Sequence, residues 1–547
     1  MAEEVWMLQT KKADFKQIGA RFRIDPVTAR IIRNRGIEGE AAIDRYLNGT
    51  LDDLYDPMLL KDMERAVSIL CEAVDTGKKI RIVGDYDIDG VCSTYILLQA
   101  FERLGSDVDF EIPDRIKDGY GINESIIEQA HADGVEVILT CDNGISAFHQ
   151  VELAKKYGMT VVITDHHEVP LDGEKEKIPP ADAVIDPKQA DCPYPFPEIC
   201  GAVVVYKLVQ VLYARRGVPQ MEWLDLLEFA AIATVGDVMK LQDENRILVK
   251  YGLKKMAQTK NLGLRRLAEK NNLDLGAITA YHIGFVIGPC LNAGGRLKTA
   301  KEALALLRAQ SEEEAERLAE ELKELNDTRK DMTEQGTEAA KLQVESWYQK
   351  DKVLVVFLPE CHESLAGIIA GRLREYYQKP AIVLTRGEEA VKGSGRSIDE
   401  YHMFKKLTEV SDLLLKFGGH PLAAGLSLEE KNIDEFRRRL NENAGLTEED
   451  FKAKVWIDVP MPVGYVTERL VRELSCLEPF GQGNEKPLFA EKSLRIRASR
   501  VLGRNRNVVK MTLEETDGHA IEALYFGDGT AFEEERAGRR EIDVVYY

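Results

Sequence analysis

Four short segments of the chain carry acids and imidazoles in patterns that could do chemistry. They are Asp85, Asp87 and Asp89 in "GDYDIDG", Asp142 in "TCDNG", Asp165, His166 and His167 in "TDHH", and Asp237 in "GDVM". Carboxylates drawn together repel one another and raise each other's pKa unless cations neutralise them. An oxygen-rich set with one or two imidazoles suits Mn²⁺ or Mg²⁺, whereas a structural zinc site would favour cysteines. Two such ions bridged by one carboxylate can activate water and stabilise the leaving oxygen of a phosphoryl transfer. Taken singly, each segment also reads as an acidic turn or a helix cap. Taken together, at successive strand ends of one unit, they point to a divalent-metal centre.

The elements that must position these residues alternate. "KKIRIV", "SDVDFEI", "VEVILTC" and "MTVVIT" read as strands, with "VCSTYILLQAFERLG", "INESIIEQAHADG" and "ISAFHQVELAKKYG" as helices between them. That rhythm predicts an α/β fold with a mostly parallel sheet. Ligands of such sheets gather beyond the carboxyl ends of the strands, where Asp85, Asp87, Asp142 and the Asp165–His167 triplet fall; Asp237 is read as a fourth strand end. A charged stretch from "SEEEAERLAEEL" onward suits a long exposed connecting helix. "DKVLVVFLP", "KPAIVLTR" and "VKGSGRSI" then predict a smaller α/β domain. "KSLRIRASRVLGRNRNVVKMTLEET" alternates as in a small β-barrel.

At 547 residues the chain is multidomain. No run of 18 apolar residues or secretory leader is present, so a cytoplasmic protein outside membranes is expected. The eight cysteines form no CxxC pair and read as reduced thiols. A net charge of −20 argues against wholesale coating of nucleic acid, yet leaves room for a local basic groove.

The four segments, in this order, resemble motifs I to IV of the DHH phosphoesterases. "IPDRIKDGYGIN", "GPCLNAGGRL", "GGHPLAAG" and "LEPFGQGNEKPLF", with the leader segments "VTARIIRNRGI" and "LYDPMLLKDMERAV", are similar to the RecJ family of bacterial single-stranded-DNA exonucleases. The resemblance spans nearly the whole chain. It implies a DHH domain with its leader over 1–310, a connecting helix over 311–345, a DHH-associated domain over 346–450 and an oligonucleotide-binding (OB) barrel over 453–547. The final "EIDVVYY" reads as a barrel strand cut short. The implied activity is 5′-to-3′ release of 5′-mononucleotides from single-stranded DNA with two Mn²⁺ or Mg²⁺ ions, in DNA repair and recombination. A single-strand-binding protein and a helicase are the implied partners, and a monomer the implied state.

Carried over residue by residue, the resemblance makes Asp85, Asp87, Asp142, His166 and Asp237 metal ligands, with Asp142 bridging. Asp165 braces an imidazole, His167 meets a phosphate oxygen, and Asp89 is left aside because smaller family members keep only the first two acids. Ser394 and Arg396 of "GSGRS", with Arg115, become anchors for the 5′ phosphate. His420, Asn292 and Arg296 become further substrate contacts. Cys290 stands where the family usually has arginine, and "CHESLAG" lacks the usual tryptophan and glycine, so contacts there are expected to differ. In the tail, Lys492, Arg495, Arg497, Arg500, Arg504, Arg506 and Lys510 supply charge, with Phe480, Phe489 and Tyr525 as stacking candidates. An oligonucleotide or cyclic-dinucleotide phosphodiesterase of the same superfamily would share the metal site without needing the leader or the barrel. A catalytically silent replication scaffold would have lost the ligands.

Overall fold

The computed structural model of the chain describes residues 4–115 and 117–547. It forms two units, one over 54–453 and one that joins 4–53 to 454–547.

In the first unit the apolar runs become strands β1 (Ile80–Val83), β2 (Val108–Glu111), β3 (Val137–Cys141), β4 (Thr160–Thr164) and β5 (Ala183–Ile185). All pair in parallel, in the order β2-β1-β3-β4-β5. β1, β3 and β5 are buried along their whole length, as strands covered on both faces must be. One face packs on the helices over 124–132 and 148–156 through Ile138, Val161, Ile163, Ile127 and Val151. Helices α1 (Ile88–Arg103) and α2 (Gly201–Arg216) are buried on nearly all sides and pack on each other. Strand order reverses between β1 and β3, which opens a crevice at their carboxyl ends.

Three of the further helices of this half bear on the site: α3 (Leu227–Gly236), α4 (Gly288–Leu297) and α5 (Glu312–Gln343). Asp237 therefore follows a helix rather than a strand, a correction with a simple cause. "LEFAAIATVG" is apolar apart from Glu228 and Thr234, and such a run does not reveal its period. α5 opens on Ser311, whose Oγ accepts from the Glu314 N–H at 3.2 Å, with Glu312, Glu313 and Glu314 in the positive first turn. It is less exposed than its charges suggest. Ala315, Leu318, Ala319, Leu322, Asn326, Thr333, Thr337 and Ala340 form a buried stripe.

After α5 come β6 (Leu354–Phe357), α6 (Ala366–Tyr377), β7 (Ala381–Arg386), β8 (Val391–Arg396), β9 (Leu414–Gly419) and β10 (Ala423–Leu428). They make a second sheet in the order β9-β10-β8-β7-β6, parallel only between β6 and β7.

In the second unit, Ile31, Ile32, Ile43 and Tyr46 of the leader share a core with Val459, Met461, Leu470, Leu477 and Phe489. Arg35 is paired with Asp458 at 2.6 Å, both nearly buried. The leader, placed by sequence in the 1–310 domain, thus groups with the tail, because an amphipathic helix announces an apolar face but not its partner. The tail strands form one five-stranded sheet, and among the described residues no pairing between 520–526 and 459–460 closes it into the expected barrel. Arg495 and Arg497 point outward while Leu494 and Ile496 point inward. Phe489 is buried, Phe480 packs against the leader's core and Tyr525 packs on Phe532 with ring centroids 5.1 Å apart, so the expected base-stacking trio serves the interior instead. The exposed aromatic of that sheet is Phe526. Among the described residues no helix is long and apolar enough to cross a membrane.

Candidate active site and metal centre

Each motif reaches the crevice from the end of a different element. Directly after β1, Asp85 turns inward, and Asp87 caps α1 by accepting from the Asp89 and Gly90 N–H groups at 3.0 and 3.1 Å. Gly90 is required here: a Cβ would lie 2.4 Å from the Asp85 carbonyl oxygen. After β3, Asp142 adopts a left-handed φ of +61°, a conformation that costs a non-glycine residue about 1–2 kcal/mol and marks stored local strain. Asn143 ties the two strand ends together, donating to the Val83 and Cys141 carbonyls at 3.0 and 2.9 Å. After β4 come Asp165, His166 and His167, and after α3 comes Asp237. Val238 beside it has a φ of +58°, unusual for a β-branched residue.

Side chains from these ends converge. His166 Nε2 lies 3.1 Å from Asp142 Oδ1, 3.4 Å from Asp89 Oδ2 and 3.8 Å from Asp237 Oδ2. Three sets have ligand atoms within 4.8 Å of one another: Asp85–Asp87–Asp142, Asp89–His166–Asp237 and Asp142–His166–His167. Asp142 belongs to two of them, as a bridging carboxylate would. Asp89, set aside by the sequence reading, stands at the centre. It is fully buried and held by the Gly201 and Ala202 N–H groups at the start of α2, both at 2.7 Å. The signal that would have found it is its place two residues after Asp87, in the first turn of a helix whose first residues face the crevice.

The electrostatics fit the same reading. Burial, then the Asp87 charge, pushes the Asp85 carboxyl up to about 8. Burial, then the Asp89 and Asp87 charges, pushes Asp237 up to about 8. Burial and the surrounding acids raise Asp142 and Asp89 as well. Asp85 Oδ2 is buried with no hydrogen-bond partner. Five crowded carboxylates, an orphaned oxygen among them, with one imidazole whose pKa burial lowers, form a donor set that hard divalent cations would neutralise.

Asp165 braces His167 rather than His166. Its Oδ1 receives His167 Nδ1 at 2.7 Å and the His166 N–H at 2.7 Å, while Oδ2 accepts from the Ile145 N–H at 2.8 Å. Burial works to lower the His167 pKa, and the Asp165 carboxylate outweighs it, holding the ring up at about 9. His167 is thus a cation at neutral pH, half exposed toward the crevice. Tyr120 of the "DGYG" segment, missed by sequence, donates its hydroxyl to the Asp142 carbonyl at 2.8 Å and lies 3.0 Å from His167 Nδ1.

The proposed anchors meet in a cavity of about 790 Å³ lined by Tyr86, Arg115, Arg296, Gly367, Ser394 and Arg396 among others. Arg115 lies over the Tyr86 ring at 4.6 Å. Arg396 Nη1 donates to Ser394 Oγ at 3.1 Å, and a Cβ on Gly367 would come within 2.9 Å of both residues. Arg296, which donates to the Ser364 carbonyl at 3.0 Å, is held down at about 10 by burial and by the neighbouring Arg115 and Arg329 charges. Asn292 does not line this cavity; it lines a smaller one, of about 110 Å³, with Gly236, Arg296 and Arg329. Sequence had not singled out Arg329. His420 is exposed, directly after β9 and away from the cavity lining. Cys290 is buried, its Sγ 3.4 Å from Asn326 Nδ2.

Comparison with known proteins places the chain in a family. Residues 79–234 match the DHH family N-terminal domain, 350–445 the DHHA1 domain and 457–547 the RecJ OB domain. The chain is 34% identical over 546 residues to the single-stranded-DNA-specific exonuclease RecJ of Escherichia coli, covering 96% of this chain and 92% of that one. The chain belongs to the RecJ family. To the RecJ of Bacillus subtilis it is 36% identical over 529 residues, 96% of this chain but 66% of that longer one. The crystal structure of RecJ with Mn²⁺ from Thermus thermophilus superposes with a TM-score of 0.80 at 28% identity, covering 96% of this chain and 79% of that one. The RecJ family and its Mn²⁺- and Mg²⁺-bound members, together with the acid cluster here, make a divalent metal the cofactor.

A pH dependence follows. Asp85 and Asp237 have folded pKa values raised above those of an unfolded chain, so their contribution to stability is complete below the ordinary carboxylate range and is lost as pH rises through about 8. Both must shed a proton to take an ion, so ion affinity rises over the same window. Chelator-treated protein is therefore expected to melt lower at about pH 8.5 than at about pH 6. Mn²⁺ should raise the melting temperature by more at the higher pH, with far-ultraviolet circular dichroism unchanged by the chelator. Equal Mn²⁺ shifts at both values would remove the crowded-carboxylate account.

Proposed function

We propose that the chain is a metal-dependent exonuclease that digests single-stranded DNA from the 5′ end and releases 5′-mononucleotides. The observation that carries the reading is the contact between two kinds of site in one unit: a carboxylate cluster built for cations, and, reached through Tyr86 and Arg115 beside it, a cavity built for an anion. In this reading Asp85, Asp87, Asp89, Asp142, His166 and Asp237 hold two ions. Bound there, the ions would supply an activated water and charge neutralisation at the transferring phosphoryl group.

The rest is done by the protein's own groups. Arg115, Ser394 and Arg396 hold the 5′-terminal phosphate, and the scissile linkage then lies one nucleotide inward, over the carboxylates. Both direction and mononucleotide product follow from that spacing. His167, kept cationic by Asp165, faces a non-bridging phosphate oxygen, and Tyr120 fixes its ring. Arg296 and Asn292, one helical turn apart on α4, and His420 contact the phosphates that follow.

The setting is DNA repair and recombination in the cytoplasm. A helicase that exposes single strands and a single-strand-binding protein that coats them are the partners this activity implies. One copy of the chain carries every group named, so a monomer suffices.

The tail supplies affinity for the strand through its outward arginines. Because leader and tail share a core, removing 454–547 alone would bare Ile31, Ile32, Ile43 and Tyr46. The informative truncation is 54–453. It should keep metal-dependent cleavage of short oligonucleotides while losing most of its affinity for long single strands and the salt dependence of binding. Unchanged affinity, measured by fluorescence anisotropy at two salt concentrations, would remove the tail from the binding scheme.

A further inference from the structure

The cavity does not end at the terminal-phosphate anchor. In a strand alternate residues share a face and are spaced by roughly 6.6–6.8 Å. On β8 that puts Arg396, Ser394 and Lys392 in one line. Register extends each into a row across the sheet. Arg396 pairs with Ala423; Ser394 pairs with Gly425, and Gly425 with Gly418; Lys392 pairs with Thr385 on one side and Ser427 on the other, and Ser427 with Lys416. The middle row also takes in Val383, which pairs with Ser394 from β7 and is fully buried, but on the other side of Ser394 it is glycine alone, and a Cβ on Gly418 or Gly425 would meet only open space. The third row is polar throughout, and all four of its residues line the same cavity.

Two features of that third row ask for a ligand. Thr385 is fully buried, and its Oγ1 has no hydrogen-bond partner. Charge is also in excess. Arg115, Arg296, Lys392, Arg396 and Lys416 face one carboxylate, Glu363, whose oxygens lie 3.1 and 2.9 Å from Lys392 Nζ. One terminal phosphate needs only the Arg115–Ser394–Arg396 end. In a chain of net charge −20, cations held a further row away from the carboxylate cluster suit additional phosphate groups.

We propose that the row Thr385, Lys392, Ser427 and Lys416 is a second anion subsite that seats the outer phosphates of a strand bearing a 5′-di- or triphosphate, so that such ends are digested rather than blocked. This rests on the reading that Ser394 and Arg396 hold the 5′ phosphate. The innermost phosphate keeps that anchor, the outer ones lie over the glycine floor, and Thr385 Oγ1 donates to the last. Cleavage is unchanged in its atoms. A water oxygen bonds to the phosphorus of the first internucleotide linkage, the bond to the 3′ oxygen breaks, and that oxygen leaves as a hydroxyl with the proton. The first product is therefore a nucleoside 5′-triphosphate, and the shortened strand carries an ordinary 5′ phosphate.

The experiment uses the full chain with Mn²⁺ and three 3′-labelled strands of one sequence ending in 5′ hydroxyl, monophosphate or triphosphate, with first products separated by chromatography. The wild type is expected to digest the triphosphate strand about as fast as the monophosphate strand and to release the nucleoside triphosphate. Lys392→Ala with Lys416→Ala, and separately the isosteric Thr385→Val, should slow the triphosphate strand about tenfold in kcat/KM and leave the monophosphate strand unchanged, as loss of a charge-assisted or buried contact predicts. The second subsite is overturned if the triphosphate strand is digested no faster than the hydroxyl strand while the monophosphate is preferred. It is also overturned if the variants slow both phosphorylated strands equally, or if the first product is a monophosphate. A wild type indifferent to all three ends would instead overturn the anchor at Ser394 and Arg396.

Discussion

Replacing Asp142 with alanine is expected to lower turnover with Mn²⁺ by more than about a thousandfold while the protein stays folded. Asp142 is shared by the Asp85–Asp87 set and by the set around His166, so its loss opens both. Several kilocalories per mole of transition-state charge stabilisation depend on such an arrangement, and about 4 kcal/mol is a factor of a thousand in rate. Folding should not suffer in proportion. The side chain is a buried carboxyl pushed up by burial and by four neighbouring acids, so removing it relieves repulsion in the metal-free protein. The backbone works the other way, because φ is +61° and alanine tolerates that region less well than aspartate. Asp142→Asn keeps the conformation and isolates the charge. Both variants should melt within a few degrees of the wild type in chelator and show a reduced Mn²⁺-induced shift. Retention of a tenth of the wild-type rate by either would contradict the shared-carboxylate geometry.

Much of this centre was legible in the sequence because its residues sit where short motifs put them. Asp85, Asp87, Asp142, His166 and His167 follow parallel strands, and the end of such a strand is fixed by an apolar run of known length. Asp237 was found by its motif, while its setting was misread, because α3 is buried on all sides and almost wholly apolar. The central place of Asp89 and the part played by Tyr120 were harder to read, for another reason. Their roles depend on the approach of the α2 N-terminus and on a loop crossing the crevice, contacts between residues more than a hundred and more than twenty positions apart. Pairing of the leader with the tail, through Arg35 and Asp458, is longer in range still. Phe480, Phe489 and Tyr525 show the opposite error. Aromatic residues near basic ones suggested a stacking surface, and burial decided otherwise.

Replacing Arg396 with alanine is expected to remove most of the preference for a 5′-phosphorylated strand over a 5′-hydroxyl strand. Its guanidinium stays charged at any working pH. Burial, then the nearby Arg374 and Arg115 charges, already lowers its pKa, which means that the pocket disfavours a cation there until an anion arrives. A charge-assisted bidentate contact contributes about 1.5–3 kcal/mol, so the phosphorylated strand should slow by about ten- to a hundredfold in kcat/KM. The hydroxyl strand should change little. Gly367→Ala tests the same point without touching the charge, since its Cβ would displace Arg396 and Ser394 together. It should reproduce the loss in part. An unaltered preference ratio in Arg396→Ala would move the anchor to Arg115.

Direction of digestion tests the central claim most directly. One single strand is labelled at its 5′ end, a second copy at its 3′ end, and both are incubated with the full chain and Mn²⁺ at subsaturating concentration. The account predicts that the 5′ label appears at once as mononucleotide while the 3′ label passes through a descending ladder of shortened strands, with neither reaction in chelator. Immediate release of the 3′ label, or cleavage within the strand that leaves both labels on fragments, would contradict it.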